Sequence, residues 1–310
     1  MLWKDEPVSA ANRTSEHALQ ESDGLGRPSY RCVLVTGAST GIGEACALEL
    51  DRRGCRVFAG VRRESDADRL RRQASQRLTT LLLDITETGA IAAAAETIRE
   101  AAGGAGLYGL VNNAGIVVTG PLELLPLEQI RRQLEVNVLG QVAVTQAMLP
   151  MLRAARGRIV NMGSISGRVA APCLGPYAAS KFALEAVTDA FRLELRQWGI
   201  AVSIVEPGSV ETPIWEKAMA FAQDLAETSP PEAVALYSAD IEAMRRASEH
   251  LARTGMPVRK VVAAVMHALF ARRPRTRYPV GPATRFSIGA LKFAPDRLRD
   301  WFVLRSLGMR

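Results

Sequence analysis

Residues 32–43 read CVLVTGASTGIG. A short, apolar, β-branched run ends in a turn with glycine at Gly37, Gly41 and Gly43. A helical stretch, EACALELDRR, follows and is closed by Gly54. Strand, glycine turn and helix open a βαβ unit. Glycines let such a turn tighten and let backbone N–H groups approach an anion, while the helix N-terminus adds its positive dipole end. The spacing G-x-x-x-G-x-G differs from G-x-G-x-x-G, and no Lys-Ser/Thr of a phosphate loop follows it. Taken alone the turn is equally well structural. Its place at the head of a βαβ series points to a nucleotide.

The alternation continues outward from this turn. CRVFAGV (55–61) is a strand, followed by a polar helix over about 65–76. LTTLLL (78–83) leads to Asp84, and a helix over about 88–102 ends in Gly-Gly. LYGLV (107–111) runs into NNAG, and a long helical stretch covers about 126–154. GRIVNMG (157–163), a helix over 176–198 and IAVSIVE (200–206) complete the series. The strands are continuously apolar, which predicts a parallel sheet covered on both faces. The fold class expected is α/β: a Rossmann-type doubly wound parallel sheet in a single domain over 31–310. Residues 213–256 lose the alternation and suggest one or two amphipathic helices forming a substrate lid. A helix over 258–272 and a possible strand RYPV (277–280) would close the sheet, within a C-terminal extension over 257–310. Residues 1–30 are polar and are expected to form a disordered tail.

Composition narrows the partners. The chain has 310 residues with a net charge of +7. An anionic partner is one explanation of that charge; arginines spread over solvated faces are the other. No basic helix with interleaved aromatics supports nucleic-acid binding. Four cysteines without C-x-x-C spacing and three scattered histidines argue against a structural metal and a Ser-His-Asp triad, and fit a reducing compartment. No apolar run of signal-peptide or membrane-spanning length is present, so a cytoplasmic setting is expected.

A second short stretch, GPYAASK (175–181), places Tyr177 and Lys181 one helical turn apart on one face. An ammonium beside a phenol favours phenolate and brings the phenol's pKa toward neutral, as acid–base chemistry requires. The same spacing also describes an ordinary surface pair.

Taken together, these motifs resemble the short-chain dehydrogenase/reductase family. TGASTGIG (36–43), NNAG (112–115), Asn137 in EVNVLG, GSIS (163–166), the Tyr177/Lys181 pair and EPGSVET (206–212) occur in the family's order, over about 30–285. The resemblance implies an NAD(P)(H)-dependent oxidoreductase that interconverts a carbonyl and an alcohol. Tyr177 would be the general acid/base, and Lys181 would hold the nicotinamide ribose and lower the Tyr177 pKa. Ser164 would donate to the substrate oxygen, and Asn137 would anchor a water in a relay to Lys181. The cofactor would lie on Gly37, Ser39, Thr40, Gly41, Ile42 and Gly43 at the turn. Asp84, Ile85, Asn113, Ala114 and Gly115 would line its adenosine side. Tyr177, Lys181, Pro207, Gly208, Val210 and Thr212 would meet the nicotinamide end.

In this fold an acid ending the second strand accepts from the adenosine ribose. The position here is about Val61, with Arg62 and Arg63 following. Two guanidiniums without an acid favour NADP(H) over NAD(H), although the turn itself carries Ser39 and Thr40 and no second basic residue.

Details such as VFAGVRR, GLYGLVNNAGI and PDRLRDW resemble the branch containing retinol, 17β-hydroxysteroid and 3-hydroxybutyrate dehydrogenases. Substrate contacts are expected from Ser164, Ile165, Leu174, Tyr177 and Trp215, with Val169, Val210, Ile214 and Met219 nearby. That set is apolar and suits a lipophilic steroid-, retinoid- or fatty-type alcohol, ketone or aldehyde. A small hydroxy-acid dehydrogenase using NAD would need a cation, for which Arg168 and Lys217 are the nearby candidates. A non-catalytic nucleotide-binding sensor or scaffold is a further alternative. The resemblance implies a homodimer or homotetramer. The C-terminal stretch, mixing Phe, Leu and Trp with arginines, is either a peripheral membrane or oligomer contact or a helix packed on the core.

Overall fold

A computed structural model describes residues 31–281, 284 and 294–309; the expected N-terminal tail lies outside the described residues. The chain begins with β1 (Cys32–Val35), α1 (Gly41–Arg52), β2 (Arg56–Val61), α2 (Glu64–Arg71), β3 (Leu78–Leu82), α3 (Thr88–Ala102) and β4 (Gly109–Asn112). It continues with α4 (Leu127–Leu134), α5 (Gln141–Ala155), β5 (Arg158–Met162), α6 (Gly175–Glu194) and β6 (Ala201–Pro207). Three helices follow: α7 (Ile214–Thr228), α8 (Pro231–Leu236) and α9 (Ser238–Thr254). Then come α10 (Val258–Phe270), β7 (Arg277–Val280) and α11 (Asp296–Ser306).

The seven strands pair in the order β3-β2-β1-β4-β5-β6-β7, and every pairing is parallel. The order reverses between β1 and β4. Strands leaving that point in opposite directions open a crevice at their carboxyl ends, where this class of sheet binds ligands. The unbroken apolar runs have a direct cause. Val33 and Val35 of β1 enter one core with α1 and α10, while Leu34 enters another with α3 and α5. Alternate side chains point to opposite faces, and both faces are covered. The strand expected at 277–280 is β7, in parallel register with β6.

The expected long helix over 126–154 is interrupted. A π-turn, Glu135–Gly140, separates α4 from α5. A Cβ at Gly140 would lie 2.7 Å from the Ile85 carbonyl oxygen, so the helix passes close to the crevice only because this residue is glycine. The extra residue in the turn re-aims Asn137 inward, where it is fully buried. The polar helix expected over 65–76 ends at Arg71. The 213–256 region holds three helices, more than its pattern suggested. At the chain's end α11 exposes Leu298, Trp301 and Phe302, while Leu307 and Met309 pack against the cluster around Tyr177.

Candidate active site

The glycine turn sits at the carboxyl end of β1. Gly37 and Gly41 have φ of 64° and 63°, the left-handed region that glycine occupies without strain. A Cβ at Gly37 would lie 2.7 Å from Ala114 Cα, and one at Gly43 would overlap the Gly37 carbonyl oxygen and the Asn113 amide. The turn is therefore pressed against NNAG. Thr36 Oγ1 accepts from the Asn113 and Ala114 N–H groups at 3.0 and 3.1 Å. Asn113 Nδ2 donates to the Thr36 and Gly37 carbonyls, each at 3.0 Å. Arg69 of α2 clasps the turn from outside, donating to the Ser39 carbonyl and to Glu44. Thr40 makes no side-chain cap to α1, so the chain's own caps leave the helix's first N–H groups facing the crevice.

A cavity of about 780 Å³ runs over this turn. Its wall includes Gly37, Ser39, Thr40, Gly41 and Ile42, then Arg62, Asp84 and Ile85, then Asn113, Ala114 and Gly115, and finally Thr212. Glycine cradle, open helix end, size and place at the strand-order switch fit a dinucleotide. Gly43 lies beneath the turn. Arg63 stands outside the wall as the N-cap of α2. Pro207 ends β6, the Gly208 N–H donates to the Val280 carbonyl, and buried Val210 bridges to Met256; none of these three lines the cavity, which Thr212 reaches. Arg131 and Arg132 of α4 and Lys217 of α7 also line the cavity; sequence reading missed the first two because they lie far along the chain on an unremarkable helix face. Burial would raise the Asp84 carboxyl. Hydrogen bonds from Thr86 and the charges of Arg62 and Arg132 outweigh it and hold that carboxyl below its usual range.

Tyr177 and Lys181 lie on the first turns of α6, which starts at Gly175 with Pro176 where a missing N–H costs nothing. Both are buried. Lys181 Nζ donates to the Met162 carbonyl at 2.7 Å and lies 5.7 Å from the Tyr177 ring centre. Ser164 follows β5, and its hydroxyl accepts from the Ser166 N–H at 3.1 Å. Burial pushes the Tyr177 phenol up, and its hydrogen bond with Ser164 pulls it partly back. Burial pushes Lys181 down to about 8. Asn137 Oδ1 accepts from the Ile116 N–H at 2.9 Å, while Nδ2 donates to Ile116 O at 3.0 Å and Ser180 Oγ at 3.1 Å. Its side chain is thus spent on the chain after NNAG and on α6, and it makes no hydrogen bond with Lys181. Gln133, unnoticed in the sequence, holds Val118 and Ile116 in the same way.

A second cavity, of about 540 Å³, opens between α7, α9 and residues 119–124. Trp215 and Met219 line it, joined by Cys173, Leu225 and Met244. Leu174 and Tyr177 share one buried apolar cluster, and Ala218 and Met244 belong both to that cluster and to the cavity wall. Ser164, Ile165, Val169, Leu174, Tyr177 and Val210 are absent from its wall, and Ile214 lines the larger cavity. The cations proposed for an acid substrate are placed elsewhere. Arg168 is bound to Glu206 and Glu185, and Lys217 faces the larger cavity. Among the described residues no helix is long and apolar enough to cross a membrane.

Comparison with known proteins shows the family. The short chain dehydrogenase family model matches residues 31–223. The 17-beta-hydroxysteroid dehydrogenase type 6 of Bos taurus is 39% identical over 283 residues, covering 88% of each chain. Retinol dehydrogenase 7 of Mus musculus is 39% identical over 272 residues, covering 86% of each. The crystal structure of a short chain dehydrogenase from Burkholderia cenocepacia J2315 in complex with NADP superposes with a TM-score of 0.66 at 27% identity, covering 90% of this chain and 97% of that one. With its motifs, its sheet order and these relatives in agreement, the chain belongs to the short chain dehydrogenase family and is an NAD(P)-dependent oxidoreductase.

Proposed function

We propose that the protein interconverts a carbonyl and an alcohol on a lipophilic steroid-, retinoid- or fatty-type substrate, with Tyr177 as the general acid/base. The observation that carries this reading is the apolar cavity of about 540 Å³ whose wall residues Ala218 and Met244 belong to the same buried apolar cluster as Tyr177. A cavity of that size and lining suits a large apolar molecule presenting one oxygen to the phenol. The two named relatives act on a hydroxysteroid and on retinol, and both are lipophilic alcohols.

Bound over the glycine turn, a nicotinamide dinucleotide supplies or takes up the hydride. The turn residues 37–43 would hold its pyrophosphate, Asp84, Ile85 and Asn113–Gly115 its adenosine side, and the stretch from Pro207 to Thr212 its nicotinamide end. Arg62 would pair with a 2′-phosphate, which favours NADP(H). Tyr177 moves a proton to or from the substrate oxygen. Ser164 hydrogen-bonds that oxygen and keeps it within reach of the phenol. Lys181 holds the ribose, and its ammonium stabilises negative charge as the phenol gives up its proton. The Asn137 side chain fixes the chain over residues 116–118, and any water it helps anchor would bind its backbone. Helices α7 to α9 form the lid that excludes water during transfer.

The test is Tyr177→Phe, assayed with lipophilic ketones, aldehydes and alcohols under both nicotinamide cofactors. Turnover should fall by about 10²–10⁴-fold while nucleotide binding persists. Turnover within a few-fold of the parent would remove Tyr177 from its role.

A further inference from the structure

The Ser164 turn, the Tyr177 helix and the last two strands meet at a buried ionic cluster that hydride transfer does not use. Glu206, the next-to-last residue of strand β6, is 1% exposed, and Glu185 of α6 is 6% exposed. Arg168, just past the Ser164 turn, donates from Nε to Glu206 Oε1 and from Nη2 to Glu185 Oε2, each at 2.7 Å. Arg277 of β7 lies 3.2 Å from Glu185 Oε2 and 2.6 Å from Asp189 Oδ2. Glu185 Oε1 is buried without a hydrogen-bond partner, and the Glu206 carboxyl, clasped by the same Arg168, lies within hydrogen-bonding reach of the Glu185 carboxyl. Two carboxylates can only repel there, whereas one proton between them makes a hydrogen bond.

Glu185 also lies one turn beyond Lys181, on the same face of α6. A Cβ at Gly167, at the end of the Ser164 turn, would lie 3.0 Å from the Lys181 carbonyl oxygen and 3.3 Å from Glu185 Cγ. Turn and helix are therefore in direct contact at this point, and a displacement of Glu185 moves both. We propose that Glu185 and Glu206 hold one proton between them at neutral pH and, clasped by Arg168, act as positioning residues that set the Tyr177–Lys181 face of α6 against the Ser164 turn. This rests on the reading of Tyr177 as acid/base.

The charged groups facing the pair are Arg168 from the turn and Arg277 from β7; on the adjoining turns of α6, Asp189 shares Arg277 and the Lys181 ammonium is turned to the Met162 carbonyl. Burial first, then Glu206, raise the Glu185 carboxyl, and Arg168 and Arg277 oppose them. The folded state thus keeps a proton that the unfolded chain loses near pH 4.3. Stability from this source is full below that pH and declines as pH rises until the pair itself ionises.

Infrared spectroscopy of the full-length protein at pH 7 tests the proton directly. A protonated-carboxyl carbonyl band is expected, disappearing at alkaline pH and in both Glu185→Gln and Glu206→Gln. Glu185→Gln, whose amide can donate to Glu206, should keep kcat within about threefold, while Glu185→Ala should lose about tenfold or more in kcat with nucleotide affinity unchanged. A missing band, a band that survives in both Gln variants, or a Glu185→Ala loss that appears equally in nucleotide affinity would overturn the proposal. The band does not depend on turnover, so it stays informative even if Tyr177→Phe remains active.

Discussion

Arg62→Ala isolates the cofactor preference. Arg62 follows the end of β2, is exposed, and lines the larger cavity. The position before it is Val61, so no carboxylate ends β2 itself, and the one that draws on the Arg62 charge is Asp84 across the cavity. A 2′-phosphate carries about −1.5 to −2 charges and three strong acceptors. A charge-assisted hydrogen bond to it is worth about 1.5–3 kcal/mol when sheltered. Exposure and salt reduce this to about 1–2 kcal/mol, which corresponds to a roughly 5- to 30-fold weaker NADPH Kd. Arg132, on the facing helix, keeps some of the attraction and sets a floor under the loss. NADH, lacking the phosphate, should change by less than about twofold. Titration of nicotinamide fluorescence with each cofactor, for parent and variant at two salt concentrations, measures all of this. Equal weakening of both cofactors, or tighter NADH binding by the parent, would refute the argument and shift the search toward oxidation of alcohols with NAD.

Two further substitutions probe the turn and the lysine. Gly43→Ala puts a methyl group into the Gly37 carbonyl and the Asn113 amide; overpacking of about 1–3 kcal/mol should lower Tm by about 3–8 °C and weaken both nucleotides about tenfold or more, read by thermal shift and titration. Lys181→Met should abolish turnover yet raise thermal stability at pH 7. Burial lowers the folded-state Lys181 pKa to about 8, so below pH 8 the fold carries an ammonium it disfavours, and stability from this source rises as pH climbs from 8 toward the unfolded value near 10.4. The gain at pH 7 should be about 1–2 kcal/mol, after the lost bond to Met162 is offset against a shift of this size. Melting curves at pH 7 and pH 9.5 check it; the advantage should shrink at the higher pH, and a variant less stable at both would contradict the burial argument.

Much of the architecture could be read from the chain because its causes are local. A strand buried on both faces must be apolar throughout, so β1, β2, β4 and β5 stand out as unbroken runs, and the glycines at 37, 41 and 43 mark a turn pressed against another backbone. The π-turn at Glu135–Gly140 was invisible because its cause is Ile85, fifty residues upstream, against which Gly140 packs. The substrate wall was read only in part. Trp215, Met219 and Leu225 all lie on α7, but Cys173 and Met244 come from two other segments whose convergence with it no periodicity reports. Arg168 looked like a pocket cation from its distance along the chain to Ser164; only the folded sheet brings Glu185 and Glu206 to it. Leu307 and Met309 reach the Tyr177 cluster from the chain's end, a contact without any local signature.

The spacing of Tyr177 and Lys181 suggests one lever, an ammonium that lowers a phenol's pKa. The buried site adds a second that works against it. Burial raises the phenol and lowers the amine, so both groups are pushed toward their neutral forms. The two effects are unequal in consequence at pH 7. An amine with a pKa of about 8 is still roughly nine-tenths ammonium there, whereas a phenol raised above its ordinary value is fully protonated. Ser164 alone opposes the rise directly, through its hydrogen bond to the phenol. On the proposed reading, the resting pair is then a phenol holding its proton beside a lysine holding its charge, which is the state that donates a proton to a carbonyl oxygen. Removing a proton from an alcohol needs the phenolate, and at neutral pH that form must come from groups that arrive with the ligands or from a proton path through Lys181. The depressed lysine suits such a path, because a group that titrates near 8 can release and regain a proton where one at 10.4 would retain it.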